Sequence, residues 1–371
     1  MYRLPSRFLA RPSRLSGESL SSWRQRTAWA NGYRLFPVTD GHLRRSDPDM
    51  GLNDRDLEWI AALHDTSKGC CLEMTLAGQT GRFVDRVASR SQPRWWLRCR
   101  YGETERRHGS MYCPKCLAED EQPYFRLSWR YAFTSVCVRH GVLLADQCPQ
   151  CGRPPWPSAC AVGDRISPHF TAFDQCPYCD ANLACTTHSQ LVPPSLADFA
   201  TDSPEAISTL FGANPVESLA AVRSICHLFI RISSRRAIIA SGSRWSEVAR
   251  SVSTECLRQN SIDHAPVGDR HILINASLEI CRSWPDSFRT FASEVGISRA
   301  HFNGSTAIQP AWMNAVVDEH LALQNRFVTA EDKLATFRRL EAALGRRPFK
   351  YELRCALNWQ GEKGLDALYA D

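Results

Sequence analysis

The sequence has no apolar run long enough to cross a membrane and no segment with the apolar core of a secretory signal. Arg223 and Arg231 interrupt the longest apolar candidate. Several enzyme signatures are also missing: a Walker A loop, a His-Glu-x-x-His helix, a Gly-x-Ser-x-Gly elbow and the paired motifs of zinc deaminases. We therefore expect neither a membrane-spanning protein nor a member of these enzyme classes.

Length and composition predict an ordinary globular protein with an uneven charge. The 371 residues are 43% hydrophobic, which is enough for a full core and suggests two or three domains. The net charge is only +6, yet residues 1–45 hold nine arginines against Glu18 and Asp40. Such a basic segment favours an anionic partner. An organellar transit peptide has a similar composition, although the residues from Gly17 onward predict a structured helix.

Cysteine spacing is the most specific feature of the chain. Eight donors form four local pairs, and two pairs can close a tetrahedron around one Zn²⁺. The first predicted set is Cys113, Cys116, Cys137 and His140, and the second is Cys148, Cys151, Cys176 and Cys179. Because protein atoms fill all four positions, neither metal keeps the open position that hydrolysis needs. The sequence therefore predicts two structural zinc ions.

Other interpretations of these cysteines remain open at this stage. A disulfide framework is typical of small secreted scaffolds in an oxidising compartment, which this long chain does not resemble. The spacing leaves an interleaved pairing of the four knuckles possible. Cys160 and Cys185 flank the second set and could replace one of its ligands.

The sequence predicts a mainly α fold with small zinc-binding β and loop modules. A first helix, capped by Ser16 or Glu18, should end at Asn31, and a second should begin at Asn53. The expected domains are a helical N-terminal domain at 1–110, tandem zinc fingers at 111–190, a linker at 191–204 and a helical C-terminal domain at 205–371. Helical periodicity in the last domain covers 215–240, 246–259, 270–282, 286–295, 309–325, 331–345 and a segment from about 349.

Residues 287–302 fit the pattern of a helix-turn-helix. Gly296 can supply the positive φ of the turn, and Ser298 can cap the following helix. Arg299 and His301 would then lie at the start of a recognition helix, where such motifs contact nucleic acid. The alternative is an ordinary helical hairpin packed in the core.

Two further basic clusters are candidates for nucleic-acid contacts. Arg346, Arg347 and Lys350 surround a predicted helix start, where cations can meet phosphate oxygens. The alternative for them is a solvated charged loop. In the second cluster, arginines between residues 94 and 100 alternate with Trp95 and Trp96, which could stack on bases or belong to the core.

Five short motifs resemble those of a known family. They are Leu-Ser-Gly-Glu-Ser-Leu-Ser-Ser-Trp at 15–23, Ala-Asn-Gly at 30–32, Tyr-Cys-Pro-Lys-Cys at 112–116, Cys-x-x-His-Gly at 137–141 and Cys-Pro-Gln-Cys-Gly at 148–152. In this order they resemble the TniQ/TnsD family of transposon target-selection proteins, over about residues 15–152. The C-terminal half resembles that family only as a helical region with helix-turn-helix character.

The resemblance implies an adaptor without catalysis. Family members recognise a target DNA site or a CRISPR RNA-guided effector of the Cascade type, and recruit an AAA+ ATPase that in turn recruits the transposase. It also implies two structural Zn²⁺ held by the eight ligands above, a possible homodimer, and a place on the bacterial nucleoid in the cytoplasm. The Arg-rich N-terminus is the first candidate for the ATPase contact.

Two functions of other classes remain open from the residues alone. A zinc-containing transcription factor would share the zinc sites and the helix-turn-helix. A metal-dependent nuclease would need acidic ligands, and no acidic spacing in the sequence singles out such a site.

Overall fold

The structure is a computed structural model and describes residues 6–37, 47–82, 95–97, 109–157, 166–185, 213–233, 244–295, 297, 309–321, 330–357 and 365–369. The described residues are mainly helical, which confirms the predicted fold class. The chain divides into two compact units. Unit 1 comprises residues 1–204 and 263–271, and unit 2 comprises residues 205–262 and 272–371.

Unit 1 contains short helices and one small antiparallel sheet. Its elements are α1 (Leu20–Ala30), α2 (Asp54–His64), α3 (Lys68–Glu73), α4 (Pro114–Glu119), β1 (Val136–Cys137) and β2 (Val142–Leu143). In the sheet, Val136 pairs with Leu143 and Cys137 with Val142. Leu20 and Trp23 of α1 pack against Leu57 and Ile60 of α2 in a buried cluster.

Ser19 caps α1, whereas the sequence pattern favoured Ser16 or Glu18. The Ser19 Oγ accepts a hydrogen bond from the amide of Ser22, as an N-cap side chain does. Glu18 has a different role, because its carboxylate is buried and accepts a 2.6 Å hydrogen bond from Arg26. Burial raises the pKa of Glu18 despite this partner.

A buried ion-pair network surrounds Arg130, which is 1% exposed. Its guanidinium donates to Asp49 at 2.8 Å and to Asp47 at 2.5 Å, and also to the carbonyl of Leu97. Asp49 also accepts hydrogen bonds from the amide and the hydroxyl of Ser21, in the first turn of α1. The network therefore joins four segments that are far apart in sequence.

Residues 263–271 complete unit 1 through buried polar contacts. Asp263 accepts a hydrogen bond from the amide of Trp95 at 2.7 Å, and the amide of Val267 donates to Asp146 at 2.8 Å. Arg270 is fully buried and donates to the carbonyl of Ala132 at 3.1 Å. These contacts bring a segment from the C-terminal half of the sequence into the N-terminal unit.

The remaining helices belong to unit 2, except that α8 begins in the segment assigned to unit 1. They are α5 (Pro215–Ser233), α6 (Arg244–Ser251), α7 (Thr254–Gln259), α8 (Val267–Arg282), α9 (Asp286–Val295), α10 (Ala311–His320), α11 (Ala330–Leu344) and α12 (Lys350–Ala356). The helix expected at 246–259 is two helices, because Ser253 accepts from the amide of Cys256 and caps α7. Phe229 and Phe291, 4.9 Å apart, lie in the core of the unit.

Among the described helices, none combines the length and the apolar character that a membrane crossing requires.

Candidate metal centres

The first predicted ligand set forms a compact cluster in unit 1. Its four donor atoms lie within 4.8 Å of one another. The Nδ1 atom of His140 is 3.4 Å, 3.3 Å and 3.5 Å from the sulfurs of Cys113, Cys116 and Cys137, respectively. The sulfurs of Cys116 and Cys137 are 3.6 Å apart. One ring nitrogen therefore faces all three thiols.

Local backbone structure explains how each half of this cluster forms. Cys113 is the N-cap of α4, and Pro114 occupies the first helical position, where its missing N–H has no consequence. The second half is the turn between β1 and β2, in which the amide of Gly141 donates to the carbonyl of Cys137 at 2.8 Å. Gly141 has a φ of 61°, which a glycine adopts without strain.

The second predicted set forms an equivalent cluster of four thiols. The sulfurs of Cys148 and Cys179 are 3.7 Å apart, as are those of Cys151 and Cys176. Both of its knuckles are tight turns that end at a residue of positive φ, Gly152 at 66° and Asp180 at 61°. This set therefore uses the same kind of turn as the Cys137 knuckle.

The distances fit zinc and exclude disulfides. A tetrahedron with Zn–S bonds of about 2.3 Å has sulfur–sulfur edges of about 3.8 Å, close to the 3.6 Å and 3.7 Å observed. A disulfide bond would need about 2.05 Å between sulfurs. All cysteines whose side chains the structure describes are free thiols, and consecutive knuckles share a centre in place of the interleaved arrangement.

Hydrogen bonds shared among the thiols of the first centre shift their pKa values in different directions. Hydrogen bonds with Cys113 and Cys137 raise the pKa of Cys116. Hydrogen bonds from Cys113 and from Cys116 lower the pKa of Cys137. Zinc binding would replace these shared protons with one divalent cation, because the thiolate is the form that ligates the metal.

Glu119 contacts the ring nitrogen of His140 that faces away from the three sulfurs. Its Oε2 atom is 2.9 Å from Nε2 of His140, while the opposite ring nitrogen faces the sulfurs. The hydrogen bond from His140 lowers the pKa of Glu119. Arg139 donates to the same carboxylate at 2.8 Å. This arrangement fixes the tautomer, because Nε2 carries the proton and Nδ1 is left as the metal ligand.

Replacement of Glu119 by alanine is expected to weaken zinc binding at the first centre about tenfold, the lower end for loss of such an outer hydrogen bond, because Glu119 is 48% exposed. Competition with a chromophoric chelator measures this affinity, and Co²⁺ absorption reports the ligand geometry. Glu121→Ala is the matched control, since Glu121 is an exposed neighbour of the same charge. Equal zinc affinities for the two variants would contradict the role of Glu119.

Of the five residues predicted to contact nucleic acid, the structure describes three, and each of the three contacts another residue of the chain. Arg299 and His301 lie outside the described residues, so the structure does not show the helix-turn-helix; α9 covers the segment predicted as its first helix. Arg346 forms an ion pair with Glu352 at 2.8 Å, and Lys350 contacts Asp366. Arg347 donates to the carbonyl of Leu368. Their role in nucleic-acid binding stays a prediction.

The two tryptophans in the basic cluster between residues 94 and 100 belong to the core. Trp95 is 2% exposed and Trp96 is fully buried, so neither ring is available to stack on a base. Their arginine neighbours at 94, 98 and 100 lie outside the described residues.

Two structural features near the metal centres were not predicted from the sequence. Glu119 carries no motif of its own, although its position three residues after Cys116 on α4 was visible. The contribution of residues 263–271 had no sequence signal, because it depends on contacts across more than 100 residues, such as Val267 to Asp146.

Comparison with known families gives a match to part of the chain. The family model TniQ matches residues 9–144. This range contains α1 to α4, both strands and the complete first metal centre, and it ends before Cys148. A comparison with curated proteins finds no match. The resemblance drawn from the sequence motifs is therefore confirmed for residues 9–144, which match the TniQ family model.

Proposed function

We propose that this protein is a non-catalytic target-selection adaptor of DNA transposition, stabilised by two structural zinc ions. In this role it recognises a target DNA site or an RNA-guided Cascade-type effector and recruits an AAA+ transposition ATPase. The match of residues 9–144 to the TniQ family model is the observation that carries the proposal. A TniQ domain favours an adaptor associated with transposition.

The metal centres support a structural role for zinc. In both clusters all four ligand positions are protein atoms, so a bound Zn²⁺ has no position for a water nucleophile. Zinc in these centres would hold turns together in a region with few regular elements. In this proposal, the proteins that the adaptor recruits carry out the chemistry on DNA.

The N-terminal segment supplies a surface suited to an acidic protein partner. Leu9 is 96% exposed, and its amide is held by the side chain of Asn31 at 3.1 Å. Its neighbours Arg7 and Arg11 both contact Asp65 in exposed ion pairs. Exposed pairs of this kind contribute little to stability, so a partner's carboxylates can replace Asp65 at small cost. This surface is our candidate for the ATPase contact.

The proposal predicts that the purified protein binds an AAA+ transposition ATPase. The double variant Leu9→Ser/Arg11→Glu is expected to weaken this binding at least about tenfold, because it removes an apolar anchor and reverses a charge. Biolayer interferometry with immobilised adaptor measures the affinity. Val138→Ser is the control, since Val138 is an exposed apolar side chain, 52% accessible, on the first zinc centre.

Other outcomes would favour the rival functions. Failure of the wild-type protein to bind any AAA+ ATPase, with sequence-specific binding to a promoter, would favour a transcription factor. Metal-dependent cleavage of plasmid DNA by the pure protein would favour a nuclease. If both variants bind the ATPase as tightly as the wild type, the proposed adaptor function stands. Only the assignment of the ATPase contact to the surface around Leu9 is then wrong.

A further inference from the structure

The turn between α11 and α12, with the first turn of α12, presents two exposed aromatic rings that stack on each other. Phe349 is 56% exposed and Tyr351 is 45% exposed, and they are the only aromatic residues among the exposed large apolar side chains of the described ranges. Their ring centroids are 5.8 Å apart, and their planes differ by 11°. Two large rings of this kind are costly to leave in water unless something covers them.

A buried carboxylate makes this turn rigid. Glu352 is 5% exposed, and its Oε2 accepts a 2.7 Å hydrogen bond from the amide of Phe349, the backward half of a capping box. The same carboxylate accepts two hydrogen bonds from Arg346, at 2.8 Å and 3.1 Å. Gly345, with a φ of 62°, ends α11. The rings are therefore held in place before any ligand arrives.

The charge of the turn indicates an anionic ligand. Between residues 346 and 354 there are four cationic side chains and one acidic side chain, Glu352. Glu352 is already engaged by Arg346, so Arg346 positions the turn. Lys350 contacts Asp366 in a pair whose side chains are 51% and 84% exposed, which a phosphate could replace at little cost. The guanidinium of Arg346 also lies over the ring of Phe349, 4.6 Å from its centroid, whereas Arg347 lies over Phe337 and donates to the carbonyl of Leu368.

We propose that this turn binds single-stranded nucleic acid, with bases stacked on the exposed parts of Phe349 and Tyr351 and a phosphate at Lys350. Exposed aromatic rings among cations are the combination that recognises unpaired bases, since every base offers a π face. In a duplex the base faces are covered by their neighbours, so the rings could not reach them. The inference rests on the proposed function and deepens it, because it specifies unpaired strands as part of the target.

Fluorescence anisotropy with labelled single-stranded DNA or RNA of mixed sequence tests the proposal on the full chain. The variant Phe349→Leu/Tyr351→Leu keeps apolar side chains but removes both rings, and is expected to bind at least about tenfold more weakly. An oligonucleotide of abasic sites keeps the phosphates and loses the bases, and should bind wild type as weakly as the normal strand binds the variant. The DNA and RNA arms show which strand is preferred.

Controls separate stacking from charge and from misfolding. Leu334→Ser removes an exposed apolar side chain of α11, 39% accessible, and should leave binding unchanged. Phe349→Trp/Tyr351→Trp keeps two π faces and should bind at least as tightly as wild type, with thermal melting as the check on folding. Equal binding of abasic and normal strands, equal binding of the leucine variant, or preference for duplex would each overturn the proposal. None of these outcomes depends on ATPase binding, so the adaptor proposal is tested separately.

Discussion

Cys116→Ser is expected to reduce the zinc content of the purified protein from two ions per chain to one. Cys116 lies 3.3 Å from Nδ1 of His140 and 3.6 Å from the sulfur of Cys137, so it shares the first centre with both. A serine hydroxyl is a poor ligand for Zn²⁺ compared with a thiolate. Structural zinc is worth about 10–16 kcal/mol in finger peptides, so its loss should destabilise unit 1 by several kcal/mol.

Elemental analysis and thermal melting measure the two parts of this prediction. Cys185→Ser is the matched control, because Cys185 follows the second centre in sequence but is not one of its ligands. It should keep two zinc ions and the melting temperature of the wild type. A Cys116→Ser protein that still holds two ions would rule out the first centre, and a metal-free wild type would rule out both.

The zinc centres could be predicted from sequence because their signal is local. Each knuckle is a pair of donors separated by two residues, and the turn that joins them is encoded by neighbours such as Pro114 and Gly141. Only the association of knuckles is long-range, and the spacing of the cysteines left an interleaved pairing open. The mainly helical fold followed from periodicity in the same way.

Helix ends were less predictable than helices. The first helix was expected from Leu20 and Trp23, but its cap is Ser19 because Glu18 is drawn into a buried pair with Arg26. The segment at 246–259 has continuous periodicity, and the capping hydrogen bond of Ser253 divides it into two helices. In both cases a side-chain contact outweighs the pattern of apolar residues.

The buried polar contacts of unit 1 could not be predicted. Arg270 bonds to the carbonyl of Ala132, 138 residues away, and Arg130 pairs with Asp49, 81 residues away. Arginine and aspartate at such positions predict exposed side chains from composition alone. Their burial depends on the assembled fold, so the N-terminal arginine excess overstates the positive charge that the surface carries, as buried Arg24 and Arg26 illustrate.

Arg130→Met is expected to lower the free energy of unfolding by about 3–5 kcal/mol at neutral pH, because it leaves a buried carboxylate without its cation. Asp49 is fully buried and loses its 2.8 Å ion pair, while methionine fills a similar volume. Urea titration of wild type and variant measures the difference. Arg126→Met is the control, because it also removes an arginine–aspartate pair. The side chains of that pair are 18% and 10% exposed, more than the 2% and 1% of Arg130 and Asp49.

The loss of stability in Arg130→Met should depend on pH and should be larger at high pH than at low pH. Burial raises the pKa of Asp49 already in the wild type, and Arg130 opposes that rise. Without Arg130 the pKa of Asp49 rises further above its unfolded value of about 3.9, so the folded variant binds a proton that the unfolded chain releases. Stability that depends on this proton is present at low pH and is lost as the pH rises through the folded pKa.

The difference between wild type and variant should therefore narrow from about pH 8 to about pH 5.5. The double variant Arg130→Met/Asp49→Asn carries a neutral amide in place of the buried acid. It should recover much of the lost stability and lose the pH dependence. A deficit that is constant across this range would mean that packing around Arg130, and not the charge of Asp49, determines the stability of the network.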